Sequence, residues 1–255
     1  MRNIRLTLSY DGTNFNGWQI QPSGRTVQGV LEEALAKIHG VRIPVHAAGR
    51  TDSGVHAVGQ VAGFRTEHPS LPTERFREAL NSLLPLDVRV HESVEVGPDF
   101  HPRYSARLRE YRYYLLFSPA PAAHRQLYCH RVSRPLDVRL LNRMTAVLVG
   151  EYDFAAFAAA GSKDENTVRR IHAASFFPTG PYVCFRIVAD GFLWKMVRSI
   201  IGTVLSLVPG DAHGGEDAAD PVTAFRDVLG ARDRARAGTT APARGLFLHR
   251  VIYDE

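Results

Sequence analysis

The hydrophobic period of this chain changes in a fixed order of strand, helix, strand, strand, helix, strand, and then runs through that order again. Apolar residues alternate from Ile4 to Tyr10, the two-residue period of a strand with one buried face, and Asp11-Gly12 follows as a turn signal. Val27, Val30, Leu31, Ala34, Leu35 and Ile38 share one helical face, with Thr26 as the capping residue and Gly40 as the stop. Strands are predicted at 41–48 and 57–65, a helix from Thr73 to Leu83, and a strand from Val88 to Val96. In the second half Arg107 to Phe117 reads as a strand. Asp137 caps a helix carrying Leu140, Leu141, Met144, Val147 and Leu148, and Val168 to Phe177 and Tyr182 to Ala189 read as strands. A mostly apolar helix is predicted from Leu193 to Val208. A charged one follows Asp220-Pro221, with proline at its first position, and Leu246 to Tyr253 closes as a strand.

Each half is therefore a ferredoxin-like, or RRM-like, split βαβ unit. The fold class is α+β: two such units in tandem, 1–105 and 106–255, sharing a mixed, mostly antiparallel sheet with a central cleft where a site would form. The halves have no clear sequence identity, so the duplication rests on pattern. A chain of 255 residues with 45% hydrophobic content can bury one large core or two ordinary ones. Ser118 to Ala122 is a stiff Pro-rich connector, and Gly210 to Ala219 is a Gly- and acid-rich loop. Arg232 to Arg244 holds four arginines among small residues and reads as a solvated loop or an RNA contact.

Between the apolar runs Val41 to Ala48 and Val58 to Phe64 lies Gly49-Arg50-Thr51-Asp52-Ser53-Gly54-Val55-His56-Ala57, a tight connection at a strand end. Taken alone, Asp52 reads as an Asx-turn residue bonding its own backbone. It is also a lone carboxylate with an arginine two positions ahead of it, in the kind of place where working residues sit.

No apolar run approaches the ~18 residues of a membrane span, and Met1 to Asp11 lacks a signal-peptide pattern, so a cytoplasmic protein with no membrane association is expected. Cys129 and Cys184 are too few for a disulfide framework and read as reduced, packed thiols. The net charge of +5 favours an acidic partner such as nucleic acid. Of 31 basic residues only Lys37, Lys163 and Lys195 are lysines, which leaves 28 arginines, 31 minus 3. Arginine suits phosphate and stacks on bases, although coding bias in a GC-rich genome explains the excess equally well. His46 and His56 bracket the Asp52 loop, but there is no HExxH or paired Cys/His spacing, and no metal or organic cofactor is expected. His56 reads as a hydrogen-bonding brace.

The loop GRTDSGVHA resembles the active-site loop of the TruA family of pseudouridine synthases. Tyr10-Asp11-Gly12-Thr13 through Gly17-Trp18-Gln19, Arg25 to Gly29, Arg109 to Tyr113, Gly191 to Arg198, and Ala241 to Leu246 resemble that family in the same order. The resemblance implies an isomerase acting on uridines 38, 39 or 40 of the tRNA anticodon stem-loop, working without a cofactor as a homodimer that holds tRNA across both subunits. It gives Asp52 the part of nucleophile and Arg198 that of its ion-pair partner. Tyr111 stacks on the uracil and is a possible base, with Tyr113 the second choice on the same strand face. Arg50 helps fill the space left by the flipped base, Leu246 lines the base pocket, and Arg169 matches another family arginine, with Arg170 beside it as the alternative. Two rival readings stand against the isomerase. One is a non-catalytic RNA-binding protein built on RRM-like sheets, although no strand carries the aromatic RRM signature. The other is a glycoside hydrolase pairing Asp52 with a second acid such as Glu110.

Overall fold

A computed structural model describes residues 1–162, 164–208 and 220–254. The chain is α+β, with strands β1 (Arg2–Tyr10), β2 (His46–Ala47), β3 (His56–Thr66), β4 (Val88–Val96), β5 (Ala106–Phe117), β6 (His130–Val132), β7 (Gly150–Asp153), β8 (Val168–Thr179), β9 (Tyr182–Ala189) and β10 (Leu246–Tyr253). Five α-helices accompany them among the described residues: α1 (Val27–His39), α2 (Arg75–Leu83), α3 (Val138–Ala146), α4 (Met196–Leu207) and α5 (Pro221–Ala231). The strand pairing is mixed and mostly antiparallel. The chain divides into two compact units, Met1–Arg109 with Phe247–Glu255, and Glu110–Leu246.

In the first unit the strand order is β4-β1-β3-β10, with β2 beside β3. β1 runs antiparallel to β3 (Ile4 opposite Phe64) and to β4 (Tyr10 opposite Val88), whereas β10 joins β3 in parallel through Phe247 opposite His56. The alternation read from the sequence is what builds the core. Ile4, Leu6 and Leu8 are fully buried, as are Val27, Leu31 and Leu35 of α1 and Phe76 and Leu80 of α2. Thr26 Oγ1 accepts the Gly29 N–H at the start of α1, and Gly40 ends it in the left-handed conformation at φ 73°.

The run 41–48, expected as a strand, is strand only at His46–Ala47. Pro44 has no N–H for a ladder, and Val45 N–H turns to the buried Glu32 carboxylate at 3.1 Å.

In the second unit β8 and β9 form an antiparallel hairpin closing between Thr179 and Tyr182, β7 pairs antiparallel with β8, and β6 pairs in parallel with the end of β5. β6 and β7 were not expected from the sequence. The helices close over Phe154, Phe157, Phe185 and Phe225, all fully buried. Asn142 pins α3 to β8 by accepting Phe176 N–H at 2.7 Å and donating to Phe176 O at 2.9 Å. α4 begins at Met196 and not at the expected Leu193, because Lys195 adopts φ 61° and breaks the helical run. The loop expected at Gly210 to Ala219 lies outside the described residues. Both cysteines are free and buried, and burial pushes the Cys184 thiol up to about 11.

Candidate active site

Asp52 and Arg50 belong to the first unit; Tyr111, Arg169, Arg198 and Leu246 belong to the second.

The Asp52 loop is clasped by the segment that follows β1. Gly12 and Gly17 make the clasp possible: a Cβ on Gly12 would stand 2.0 Å from the Val55 carbonyl oxygen, and one on Gly17, at φ +82°, 2.6 Å from that of Thr51. Trp18 N–H donates to Thr51 O at 3.0 Å, and Gly54 N–H and the Ser53 hydroxyl both donate to Phe15 O, at 3.3 and 3.2 Å. Phe15 is held in turn by Arg25, whose guanidinium lies 4.1 Å from the ring centre while bridging to both oxygens of Asp87. The turn itself closes from Val55 N–H to the Asp52 carbonyl at 3.1 Å. An Asx-turn would need the Gly54 N–H for the Asp52 carboxylate, and that donor is engaged by Phe15.

Beneath the loop lies a buried polar network. Tyr10 Oη and Thr51 Oγ1 are 2.7 Å apart, and Gln60 Nε2 donates to Tyr10 Oη at 3.3 Å and to Gly49 O at 2.8 Å. Burial pushes the Tyr10 phenol up to about 12, so it remains a neutral donor under any ordinary condition. Arg109 donates to Ala48 O at 3.2 Å, just ahead of Gly49. His56 Nδ1 accepts the Gly12 N–H at 3.0 Å, and the ring stacks on Phe247 with centres 4.5 Å apart. It is the brace the sequence suggested. Asp11 Oδ1, which also accepts the Thr13 N–H and hydroxyl, lies 3.2 Å from the same nitrogen. Arg50 is exposed.

In the second unit Tyr111 and Tyr113 share one face of β5, and burial separates their roles. Tyr113 is fully buried and donates its hydroxyl to Pro242 O at 2.8 Å, which removes it as a stacking surface for a base. Tyr111 keeps 8% of its surface exposed and meets Phe192 edge-on, ring centres 5.0 Å apart. Arg198 lies half-buried on the first turn of α4 among buried Leu193, Met196, Val197, Ile200 and Ile201. Its Nε donates to Ala241 O at 2.8 Å, and Ala241 N–H returns to Arg198 O at 3.0 Å. Leu246, 6% exposed, follows the same loop.

Arg169 and Arg170 point to opposite faces of β8. Arg170 is exposed and paired with Glu151, while Arg169 passes the bare backbone of Gly191, where a Cβ would meet its Nε at 3.4 Å. Glu110, the second acid a hydrolase would need, faces away from Tyr111 and is 2% exposed, clamped by Arg112 Nε at 2.9 Å and Arg186 Nε at 3.2 Å. Burial alone would raise its pKa, but the two guanidiniums outweigh it and hold the group below the usual carboxylate range. An ionised, doubly clamped carboxylate is not poised to protonate a leaving group. Tyr10 and Ala241 lie in segments that resemble the family but were given no role from the sequence, and Gln60 was not named; Tyr10 reaches Thr51, Gln60 reaches Tyr10 and Arg198 reaches Ala241 across 40 to 50 residues, a separation that leaves no local pattern.

The family model described as tRNA pseudouridine synthase matches residues 7–105 and 144–254. A protein of Treponema denticola named tRNA pseudouridine synthase A is 45% identical, covering all of this chain and 94% of its own length. Proteins of the same name from Moorella thermoacetica and Halalkalibacterium halodurans are 44% and 45% identical, over 98% and 97% of this chain and 99% and 91% of their own.

Proposed function

The chain belongs to the tRNA pseudouridine synthase family, and from that premise we propose how its residues divide the work. The protein is an isomerase that converts uridine to pseudouridine in tRNA. In our reading the targets lie in the anticodon stem-loop, and the enzyme is a cytoplasmic homodimer. No helix among the described residues is long and apolar enough to cross a membrane.

The reaction breaks the bond from ribose C1′ to uracil N1, turns the base and joins C1′ to C5; N1 gains a proton, C5 loses one, and the composition is unchanged. No second carboxylate is required, because no leaving group departs and no water enters. Asp52 is the nucleophile, attacking C1′ or C6. Arg198 is its ion-pair partner. Tyr111 stacks on the uracil, contributing about 1 to 3 kcal/mol, and is placed to take the C5 proton. Arg50 fills the space left by the extruded nucleotide, whose flipping costs a few kcal/mol. Leu246 lines the base pocket, and Arg169 contacts the RNA alongside it.

The observation that carries this reading is the hydrogen bonding of the Asp52 loop. Main-chain bonds and a buried phenol shape it, and the donor an Asx-turn would use is engaged elsewhere. The test is to incubate unmodified tRNA with the protein, map pseudouridine, and assay free uracil. Pseudouridine in the anticodon stem-loop without free uracil supports the reading. Release of uracil would mean a hydrolase, and tight binding with neither product a non-catalytic RNA-binding protein.

A further inference from the structure

We infer that the loop from Gly238 to Gly245 is the template that sets the guanidinium of Arg198, and that Tyr113 is a positioning residue acting through it; this rests on the role proposed above for Arg198. Arg198 meets the loop twice at one residue, giving Nε to Ala241 O and receiving Ala241 N–H on its own carbonyl. With Nε so engaged, the plane of the guanidinium is fixed, and its two terminal nitrogens form the edge that a carboxylate takes side by side.

The loop can impose this only if it is itself immobile, and it is anchored on both flanks. Toward α4, a Cβ on Gly202 would stand 1.6 Å from Thr239 O, so the loop lies directly against the bare helix backbone one turn beyond Arg198. Gly238 N–H donates to Thr203 Oγ1 at 2.9 Å. Toward β5, the Tyr113 hydroxyl holds Pro242 O at 2.8 Å, and its ring fills the place a Cβ on Gly245 would occupy, 2.7 Å away. Two successive carbonyls, of Ala241 and Pro242, are therefore held by Arg198 and Tyr113. Tyr113 shares its strand face with Tyr111, and the loop leads into Leu246, so one template registers three of the proposed site residues.

Tyr113→Phe removes only the hydroxyl, and Thr203→Val removes the anchor on the other flank together with the Thr203 hydroxyl's bond to Ser199 O at 2.8 Å within α4. Each should lower kcat about tenfold, as displacement of a positioned group does, with KM for tRNA unchanged within about twofold. Assays are run at a temperature where melts show both variants folded. Wild-type kcat in both variants, or a loss carried by KM with kcat unchanged, would overturn the inference, and so would a failure of both variants to fold at any temperature, since the anchors would then serve the fold alone. Asp52→Asn and Arg198→Gln, run beside them, separate the two levels. If those keep activity, the reading of the site fails; if they lose it and Tyr113→Phe does not, only the template is wrong.

Discussion

Tyr10→Phe should damage the Asp52 loop from below without touching it. The phenol oxygen lies between the Thr51 hydroxyl at 2.7 Å and the Gln60 amide at 3.3 Å, and the three residues are 4%, 7% and 0% exposed. Removing it deletes one good hydrogen bond, worth about 1 kcal/mol net, and leaves a buried hydroxyl without that partner, which costs about 1 to 3 kcal/mol. Gln60 keeps its bond to Gly49 O, so the lower part of that range applies to the amide. The sum is about 2 kcal/mol. With a urea slope of about 2 to 3 kcal/mol per molar, the unfolding midpoint should fall by roughly 0.7 to 1 M. Because Thr51 adjoins Asp52, turnover should fall several-fold at 25 °C even where the protein is fully folded, with tRNA binding retained. An unchanged urea midpoint with unchanged turnover would refute the claim that this network shapes the loop.

Glu110→Gln should cost about 2 kcal/mol, less than for a fully buried ion pair because Arg112 and Arg186 remain partly in solvent. Pseudouridine yield should stay within about twofold of wild type; a loss of turnover in folded protein would revive the two-carboxylate reading. Stability against alkali should be governed by phenols: burial raises Tyr10, to about 12, and also Tyr113 and Tyr253, above their unfolded value near 10. Groups raised in this way contribute stability in full below pH 10 and lose it as pH climbs through 12. The buried thiols add an earlier onset, Cys184 being pushed up to about 11 and Cys129 also raised from a free value near 8.5, so urea midpoints measured from pH 8 to 12 should ease downward from about pH 9 and drop more steeply above pH 10, the second part less steeply in Tyr10→Phe; a midpoint that stays level through pH 12 would contradict the assignment. Lys195→Asn relieves a left-handed lysine, a cost of about 1 kcal/mol, and loses a cation–π contact of about 0.5 kcal/mol with Trp194 at 4.6 Å. A net gain of about 0.5 kcal/mol is expected in urea unfolding, and destabilisation would show that the side chain does more than sit on the indole.

The parts of the fold visible in the sequence were those with a local period. β1 and α1 were legible from Ile4 to Tyr10 and from Thr26 to Gly40 because alternation, cap and stop all lie within the element. β6 and β7, of three and four residues, carry mostly polar side chains and form only because β5 and β8 offer an edge. The start of α4 was misplaced by three residues, since nothing local marks Lys195 as left-handed.

The site followed the same division. The loop around Asp52 stood out by its glycines and its likeness to a family, whereas its support from Tyr10 and Gln60 and the hold of Ala241 on Arg198 are long-range contacts with no periodic trace. Arginines 232 to 244 show how composition misleads. Arg234 donates to Ala237 O and Gly238 O, Arg244 to Cys129 O, and Arg232 pairs with Asp153, so three of the four brace protein.

The central claim is that Asp52 is the nucleophile, and Asp52→Asn tests it with two readings on one protein: pseudouridine yield on unmodified tRNA, and affinity for the same RNA. The substitution keeps the size of the side chain and the main-chain bonds that shape the loop. The account predicts a folded protein that binds tRNA at least as tightly as wild type, with one negative charge fewer facing phosphate, and forms no detectable pseudouridine. Wild-type yield would contradict it outright, and joint loss of folding and binding would return Asp52 to the role of a turn residue.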